Sequence, residues 1–532
     1  MSSDAAASAA PAAAQDIVIV GGGHNGLVAA AYLAQAGRSV LVLERDDHVG
    51  GAAISAQAFS GIDARLSRYS YLVSLLPARI IEELGLDVRL VRRRFSSYTP
   101  DPRHPERGLL VDNADAAATR ASFAAIGAEA DAEAWDEFYG DTAAVARALF
   151  PTVLEPLPTR SEARRLIDDS VWEQIFERPL DEVVRARFDD DLVRGVVATD
   201  GLIGTFTALD DPSLDANHCF LYHVIGNGTG DWDVPVGGMG AVSGELERAA
   251  RAAGARIVTG AEVTAVAPDG RVSYALDGAD HEVCGGRVLA NVAPVVLQRL
   301  LGESTADLPA PEGAQVKVNL LLTRLPRLRD AGVSPEAAFG GTFHINELRT
   351  QLADAYEAAA GGDIPQPLPC EIYCHSLSDP SILSPELAAS GAQTLTVFGL
   401  HVPHRLATPE NNDELRARLQ EAVLASLNSV LAEPIENVIM TDAAGRPCIE
   451  TKTTLDIERA VNMPGGNIFH GPLSWPFLED DEPRDTAAER WGVATAHPRI
   501  LICGSGARRG GAVSGIGGHN AAMAVLEDEL VE

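Results

Sequence analysis

A chain of 532 residues is long enough for three or four domains at roughly 150 residues each, or for one large two-lobed enzyme. Its 46% hydrophobic and 22% charged residues are the composition of a packed globular protein, which excludes disorder for the bulk of the chain. The 42 Lys and Arg against 75 Asp and Glu leave a net charge of −33, which repels nucleic acid and anionic bilayers and argues against a nucleic-acid-binding role.

In chain order, residues 1–14 read as a disordered tail. They lack the basic and apolar regions of a secretory signal and the arginines of a mitochondrial presequence, so a cytoplasmic location is expected. From Asp16 the chain reads DIVIVGGGHNGLVAAAYLAQAGRSVLVLER: a β-branched run, a glycine turn, an alanine-rich helix pattern and a second β-branched run. This is a βαβ unit. Gly21, Gly23 and Gly26 satisfy G-x-G-x-x-G. The first permits the tight turn, the second lets a pyrophosphate approach the backbone, and the third lets the helix pack on the sheet. The helix N-terminus offers free N–H groups to phosphate. His24 and Asn25 lie inside the turn and are assigned to its geometry. Glu44 ends the second strand, where a carboxylate can accept both hydroxyls of an adenosine ribose, favouring FAD or NAD over NADP. Arg45 follows it, and a second glycine pair, Gly50 and Gly51, precedes Ala52.

Further along, Asp115 to Arg194 is rich in Ala, Glu and Arg and reads as helical. PVGGMGAVSGELERAARAAGARIVTGAEVTAV, Pro235 to Val266, is a glycine turn, an amphipathic helix and a strand. AQVKVNLLLTRL, PCEIYCHSL and QTLTVFGLHV are strand-like. The C-terminal ILICGSGARRGGAVSGIGGHNAAMAVLEDEL repeats the strand, glycine loop and helix grammar. Six cysteines are too few and too scattered for a disulfide framework. Cys370 and Cys374, followed by His375, do not have the spacing of a zinc knuckle, and no metal site is expected. The acidic runs lack the ligand pattern of a calcium loop, no G-x-S-x-G or H-E-x-x-H occurs, and no apolar run is long enough for a transmembrane helix.

Together these segments resemble the FAD-dependent oxidoreductases of the phytoene desaturase and amine oxidase superfamily, most closely the branch named pyridine nucleotide-disulfide oxidoreductase domain-containing protein 2. The resemblance is carried by VGGGHNGLVAAAYLAQAG, LERDDHVGGAA, RLSRYSYLVSLL, PVGGMGAVSGELERAA, GGNIFHGPLS and CGSGARRGGAVSGIGGHNAA, which span nearly the whole chain. No C-x-x-C pair is present, so disulfide reductase chemistry is not implied. The resemblance implies an α/β fold, with a Rossmann-like FAD-binding domain and an inserted mixed-sheet substrate domain under a helical cover. The FAD domain would comprise 15–75, 236–300 and 490–532, and the substrate domain 76–235 and 301–489. It further implies FAD held by Gly21, Gly23, Gly26, Glu44 and Arg45, by Gly50 and Gly51 near the pyrophosphate, and by the backbone of Val263 at adenine. Gly504 and Ser505 would meet ribityl or phosphate oxygens, the serine standing where many relatives have an acid. Gly515, Gly517 and the backbone at His519 would face the flavin ring.

Three residues stand out for chemistry. Lys317, one of two lysines, sits in the apolar run VKVNLLL, where burial is costly. In amine oxidase relatives a lysine on the corresponding strand holds a water beside flavin N5; the alternative is a strand-edge lysine reaching solvent. His470 lies between the glycines of GGNIFHGPLS, and Tyr71, with Tyr69, follows the glycine pair; each is a cavity-wall candidate or a packing residue. Trp232 has the same two readings. The expected activity is hydride removal from a C–H bond of a mostly apolar substrate, of desaturase, dehydrogenase or isomerase type, with oxygen or a quinone as electron acceptor. The alternatives are an amine or alcohol oxidase releasing hydrogen peroxide and a flavin-binding partner protein without turnover. Peripheral membrane contact would need a basic or apolar docking patch.

Overall fold

The computed structural model describes residues 13–529. The expected tail lies outside the described residues except for Ala13 and Ala14, which already belong to the first strand. They pair in parallel with Val283 and Cys284, a longer neighbour that extends the ladder beyond the apolar run.

Two seven-stranded sheets form the framework. The first has the order 262–266, 271–276, 279–290, 13–20, 40–43 and 256–258, with Ile500–Ile502 attached in parallel to the long strand Ala279–Ala290. Its central strands are parallel and covered on both faces, so they read as unbroken apolar runs; Ile17, Val18 and Ile19 are at most 1% exposed. The helix His24–Gln35 is buried from His24 through Ala34. Its alanines let it lie against the sheet on one side and the helices Met239–Ala252 and Ile516–Glu529 on the others.

The second sheet has the order 449–452, 316–322, 393–399, 370–373, 342–345, 95–101 and 104–112. Its strands alternate, and the alternation separates two kinds of face. Val316, Val318, Leu320, Ile372, Leu395 and Val397 point to one side and pack under the helix Asn412–Val430, which buries Leu415, Leu419, Val423, Leu427 and Val430 at helical spacing. Lys317, Asn319, Glu371, Tyr373, Thr396 and Phe398 point to the other. Register makes them two rows: Lys452, Lys317, Phe398, Glu371 and His344 are successive partners, as are Glu450, Asn319, Thr396 and Tyr373.

Helices over that polar face come from Ala116 to Val224. The helical stretch begins where the sequence places it, with Asp115 capping Ala118 N–H at 3.0 Å, but it continues past Arg194 to the helix Asp215–Val224. That last helix is buried nearly all round, which removes the amphipathic period that would have marked it. The cover is tied to the segment beyond the second sheet by Trp172, Phe176, Trp475 and Phe477, whose rings pack together.

The helix Leu180–Arg187 of the cover is joined to the helix Arg349–Ala360 by a bidentate ion pair. Arg349 Nε and Nη2 donate to the two oxygens of Asp181 at 2.6 and 2.7 Å, and Asp181 is 2% exposed. Removing the arginine leaves a buried carboxylate with only Arg185 at 3.6 Å. Arg349→Ala is therefore expected to cost about 3 kcal/mol, read as a lowered midpoint in urea, whereas an unchanged midpoint would mean the pair adds nothing.

Candidate functional site

A cavity of about 640 Å3 is lined by residues of both sheets and of the helical cover. One end is the glycine turn. Gly21 has φ +98°, and a Cβ there would meet the Asn291 carbonyl oxygen at 2.8 Å, so only glycine can make the turn. A Cβ on Gly26 would sit 2.4 Å from the Gly21 oxygen, which fixes the close helix–strand approach. The second glycine pair runs alongside: Gly23 bridges to Gly50, and Gly50 N–H donates to Gly22 O at 2.9 Å. Gly21, Gly23, His24, Gly51 and Ala52 line the cavity. Asn25, Gly26 and Gly50 do not; they build the turn from behind.

Glu44 lines the cavity and is 8% exposed. Its two oxygens accept Gly22 N–H at 2.7 Å and Asp46 N–H at 2.8 Å. Burial raises its pKa, opposed by those two amides. The carboxylate thus locks the turn while its remaining lone pairs face the cavity. Arg45 pairs with Asp46 at 3.2 Å and donates to Ala460 O at 3.3 Å; both it and Asp46 are on the wall, as is Val263 with Ala261 and Glu262. Sequence reasoning missed Asn291, whose Nδ2 donates to Gly21 O at 3.0 Å and which also lines the cavity. Its signal was its place at the end of the long strand, beside the end of the first.

The C-terminal segment reaches the cavity through Ser505, Ala512 and Val513. Gly504, Gly515, Gly517 and His519, expected beside it, are not among the lining residues. Gly504 packs on Asn291, Gly515 on Val28, Ile80 and Leu76, and Gly517 on the carbonyls of Cys503 and Gly504. His519, 1% exposed, packs edge-on against Tyr32 and lies beside Trp491. Gly515 and Gly518 let the last helix lie against the first at contact distance. The middle glycine turn is also no cradle: Gly237 N–H donates to Asp379 Oδ2, Met239 N–H to Ser67 Oγ and Gly240 N–H to Ser55 Oγ.

The other end of the cavity is the polar face of the second sheet. Lys317 is 1% exposed; its Nζ has no hydrogen-bond partner and stands 4.6 Å from the centre of the Tyr71 ring. Burial lowers its pKa to about 7. Tyr71 packs on Tyr373, ring centres 4.4 Å apart, and burial keeps its phenol protonated. Tyr69 is on the wall with Arg68 and Lys452 against its ring. His470 adopts φ +67°, a conformation rare for a residue with a side chain. Its Nδ1 and His24 Nε2 have no partners, and burial lowers both imidazoles to about 4, with each lining the cavity as a neutral ring. Trp232 is on the wall and donates to His223 O at 2.9 Å. Also brought here, and not singled out from sequence, are Arg93, Tyr139, Asp200, His223, His344, Glu371 and Tyr373. The alternation in TFHI and CEIY, with a charged or polar residue at every second place of an otherwise apolar strand, was the available signal for His344, Glu371 and Tyr373.

Comparison with known proteins follows this geometry. Residues 19–78 match the family model for an NAD(P)-binding Rossmann-like domain. An uncharacterized protein of Mycobacterium tuberculosis (strain ATCC 25618 / H37Rv) is 58% identical over 513 residues, covering 94% of this chain and 95% of its own. The mouse pyridine nucleotide-disulfide oxidoreductase domain-containing protein 2 is 30% identical over 559 residues, covering 95% of this chain and 92% of its own. Among solved structures, cyclohexylamine oxidase from Brevibacterium oxydans has the same fold, with TM-score 0.56 at 13% identity over 97% of this chain and all of that one. Among the described residues no helix is long and apolar enough to cross a membrane, and Leu166 is the one large apolar side chain that is exposed.

A buried lysine whose pKa falls on folding costs stability wherever the unfolded chain would hold the proton. The folded form binds fewer protons between about pH 7 and the ordinary lysine value, so its stability rises with pH across that window. Lys317→Met is expected to stabilise the protein by several kcal/mol at and below pH 7, with the gain shrinking toward pH 10. Urea unfolding at pH 6.5 and 9.5 checks this, and a pH-independent difference would contradict it.

Proposed function

Because this chain belongs to the family of pyridine nucleotide-disulfide oxidoreductase domain-containing protein 2, we propose that it is an FAD-dependent oxidoreductase that removes a hydride from a C–H bond of a small organic molecule. The observation that carries this reading is one continuous cavity with a glycine turn and Glu44 at one end and a buried, unpartnered lysine at the other. The residues present fit FAD. Glycines without room for a Cβ leave backbone exposed to a diphosphate, and Glu44 retains acceptor capacity for ribose hydroxyls. The cavity, at about 640 Å3, also falls within the range for ligand sites. Gly21, Gly23, Gly51 and Ala52 would hold the diphosphate region, Glu44 and Arg45 the ribose, Val263 the adenine, and Ser505, Ala512 and Val513 the flavin half. When bound, FAD supplies the two-electron acceptor that no side chain of the protein provides.

The protein's own contribution is to orient substrate and exclude water. Phe398, Tyr71 and Tyr373 offer apolar walls that fix a C–H bond in position. Lys317 holds an N–H or a lone pair at the cavity wall. With a pKa near neutrality it can orient a water or pass a proton there without becoming a permanent buried charge. His24 and His470, held neutral, add hydrogen-bonding capacity without charge. Desaturation, dehydrogenation and isomerisation all begin with this positioning. The second reading, an amine or alcohol oxidase that returns electrons to oxygen, is favoured by Lys317 and its place over Tyr71; a quinone acceptor is the alternative.

The test is the absorption spectrum of the purified protein before and after denaturation, with the released chromophore identified by mass. FAD in the supernatant is the expected result, and a colourless protein that takes up no added FAD would overturn the proposal. Glu44→Ala is expected to weaken FAD binding about tenfold to a hundredfold, the range for loss of hydrogen bonds to a charged group, measured by flavin fluorescence on titration. Peroxide released during turnover would select the oxidase reading, and unchanged reduction and reoxidation rates in Lys317→Met would remove that lysine from the mechanism.

A further inference from the structure

The sheet row that carries Lys317 continues across Phe398 to Glu371 and His344, and this far part of the cavity differs in charge from the rest. Asp200 faces the same space from the turn Thr199–Gly201 that follows the helix Asp191–Ala198. Trp135, Tyr139, Tyr71, Tyr373 and Trp232 supply the walls. Two cavity-facing carboxyls thus meet inside an aromatic enclosure.

The cations nearby, apart from Lys317, are hydrogen-bonded to protein groups. Arg93 Nε donates to Trp232 O at 2.9 Å and Nη1 to Thr342 Oγ1 at 3.2 Å, with the guanidinium against the Tyr373 ring. His344 Nδ1 is bonded to Thr99 Oγ1 at 3.0 Å, and its Nε2 stands 3.6 Å from Glu371 Oε1. His223 Nδ1 is bonded to Cys219 O at 2.8 Å, and Lys317 lies over Tyr71. The acids are less satisfied. Glu371 Oε2 accepts the Tyr373 hydroxyl at 2.8 Å, but Asp200 makes no hydrogen bond or ion pair among the described residues. Next to them Glu347 is fully buried with neither carboxyl oxygen partnered, and burial together with Glu371 raises its pKa well above the usual range. The same two causes raise Asp200 to about 7. Three carboxyls this close are costly unless something positive offsets them, and aromatic faces add to the attraction for a cation that is taken out of water.

Resting on the flavin-oxidoreductase reading above, we propose that this end of the cavity is a subsite for an ammonium group of the substrate, held between Asp200 and Glu371 against the rings of Tyr139 and Tyr373. The substrate is then an amphiphilic amine, with its apolar part lying along Phe398 toward the flavin end. Binding also draws Asp200 into its charged form, so a proton leaves the site as the cation enters at neutral pH.

The experiment uses the FAD-loaded protein without oxygen and three probes of equal length: hexylamine, hexan-1-ol and hexanoate. Binding is read by calorimetry and by perturbation of the flavin absorbance. Hexylamine is expected to bind saturably, at least tenfold more tightly than hexan-1-ol, with proton release read as a binding enthalpy that varies with the buffer's ionisation enthalpy. Asp200→Asn and Glu371→Gln, each still carrying FAD, are expected to lose tenfold or more of that affinity. Tighter binding of hexanoate would assign the end to Arg93 and Lys317 as an anion site and overturn the proposal. Equal binding of the three probes, no saturable binding of hexylamine, or undiminished affinity in both variants would overturn it as well. Calorimetry needs no flavin, so a protein that binds hexylamine as expected but carries no FAD would fail the flavin reading while upholding this one.

Discussion

The constraint on which the site depends is the two-sidedness of the second sheet. A strand places successive side chains on opposite faces, so VKVNLLL and CEIY each present an apolar set to one layer and a polar set to another. The apolar set is anchored by the helix Asn412–Val430. A shift of one residue in any of these strands would exchange the faces, burying Lys317 and Glu371 under that helix. Register therefore fixes which groups meet in the cavity, and the free energy holding the register comes from the apolar side. The chemistry of the site is positioned by packing that never touches it.

That arrangement obliges the protein to keep a polar surface out of bulk water, and the burial of its charges shows in their titration. Lys317 and Arg93 are both pushed down by desolvation, while Asp200 and Glu347 are pushed up. Each shift moves the group toward its neutral form, as expected where desolvation outweighs the opposite charges nearby. Lys317 and Asp200, both brought to about 7, are of the kind a catalyst can use to move protons. By contrast, Asp379 and Asp456, which accept several hydrogen bonds, are pushed down instead, and they serve the fold. The environment separates these two sets of acids more sharply than residue type does.

How much of this was legible in the sequence differs between the two ends of the cavity. The glycine turn, Glu44, Arg45 and the second glycine pair lie within about thirty-five residues of one another, where spacing along the chain and spacing in space nearly coincide. Lys317 was legible because a charge in an apolar strand is rare. The opposite end draws on 93, 139, 200, 223, 344 and 371, positions brought together only by strand order and by the helical cover, and no local pattern joins them. The C-terminal glycines are ambiguous for a related reason. A glycine that admits a ligand and a glycine that admits a helix leave the same mark in sequence; Gly515 and Gly518 pack on the helix His24–Gln35, and Gly517 on the carbonyls of Cys503 and Gly504.

The packing of those last glycines still bears on the site. Gly518 has its missing Cβ position 2.0 Å from the Asn25 carbonyl oxygen, so the C-terminal helix is pressed against the first turn of the helix that follows the glycine motif. Ser505, Ala512 and Val513 reach the cavity only because the chain on either side of them is held in this way: Ser505 follows the strand Ile500–Ile502, and Ala512 and Val513 precede the helix. One wall of the cavity is thus a loop whose two ends are fixed by close backbone contacts. Such a loop carries little side-chain freedom to lose on binding, and a site that is ordered beforehand spends less of its interaction energy on ordering. Glycines off the cavity wall thus decide how rigidly their neighbours on it are held.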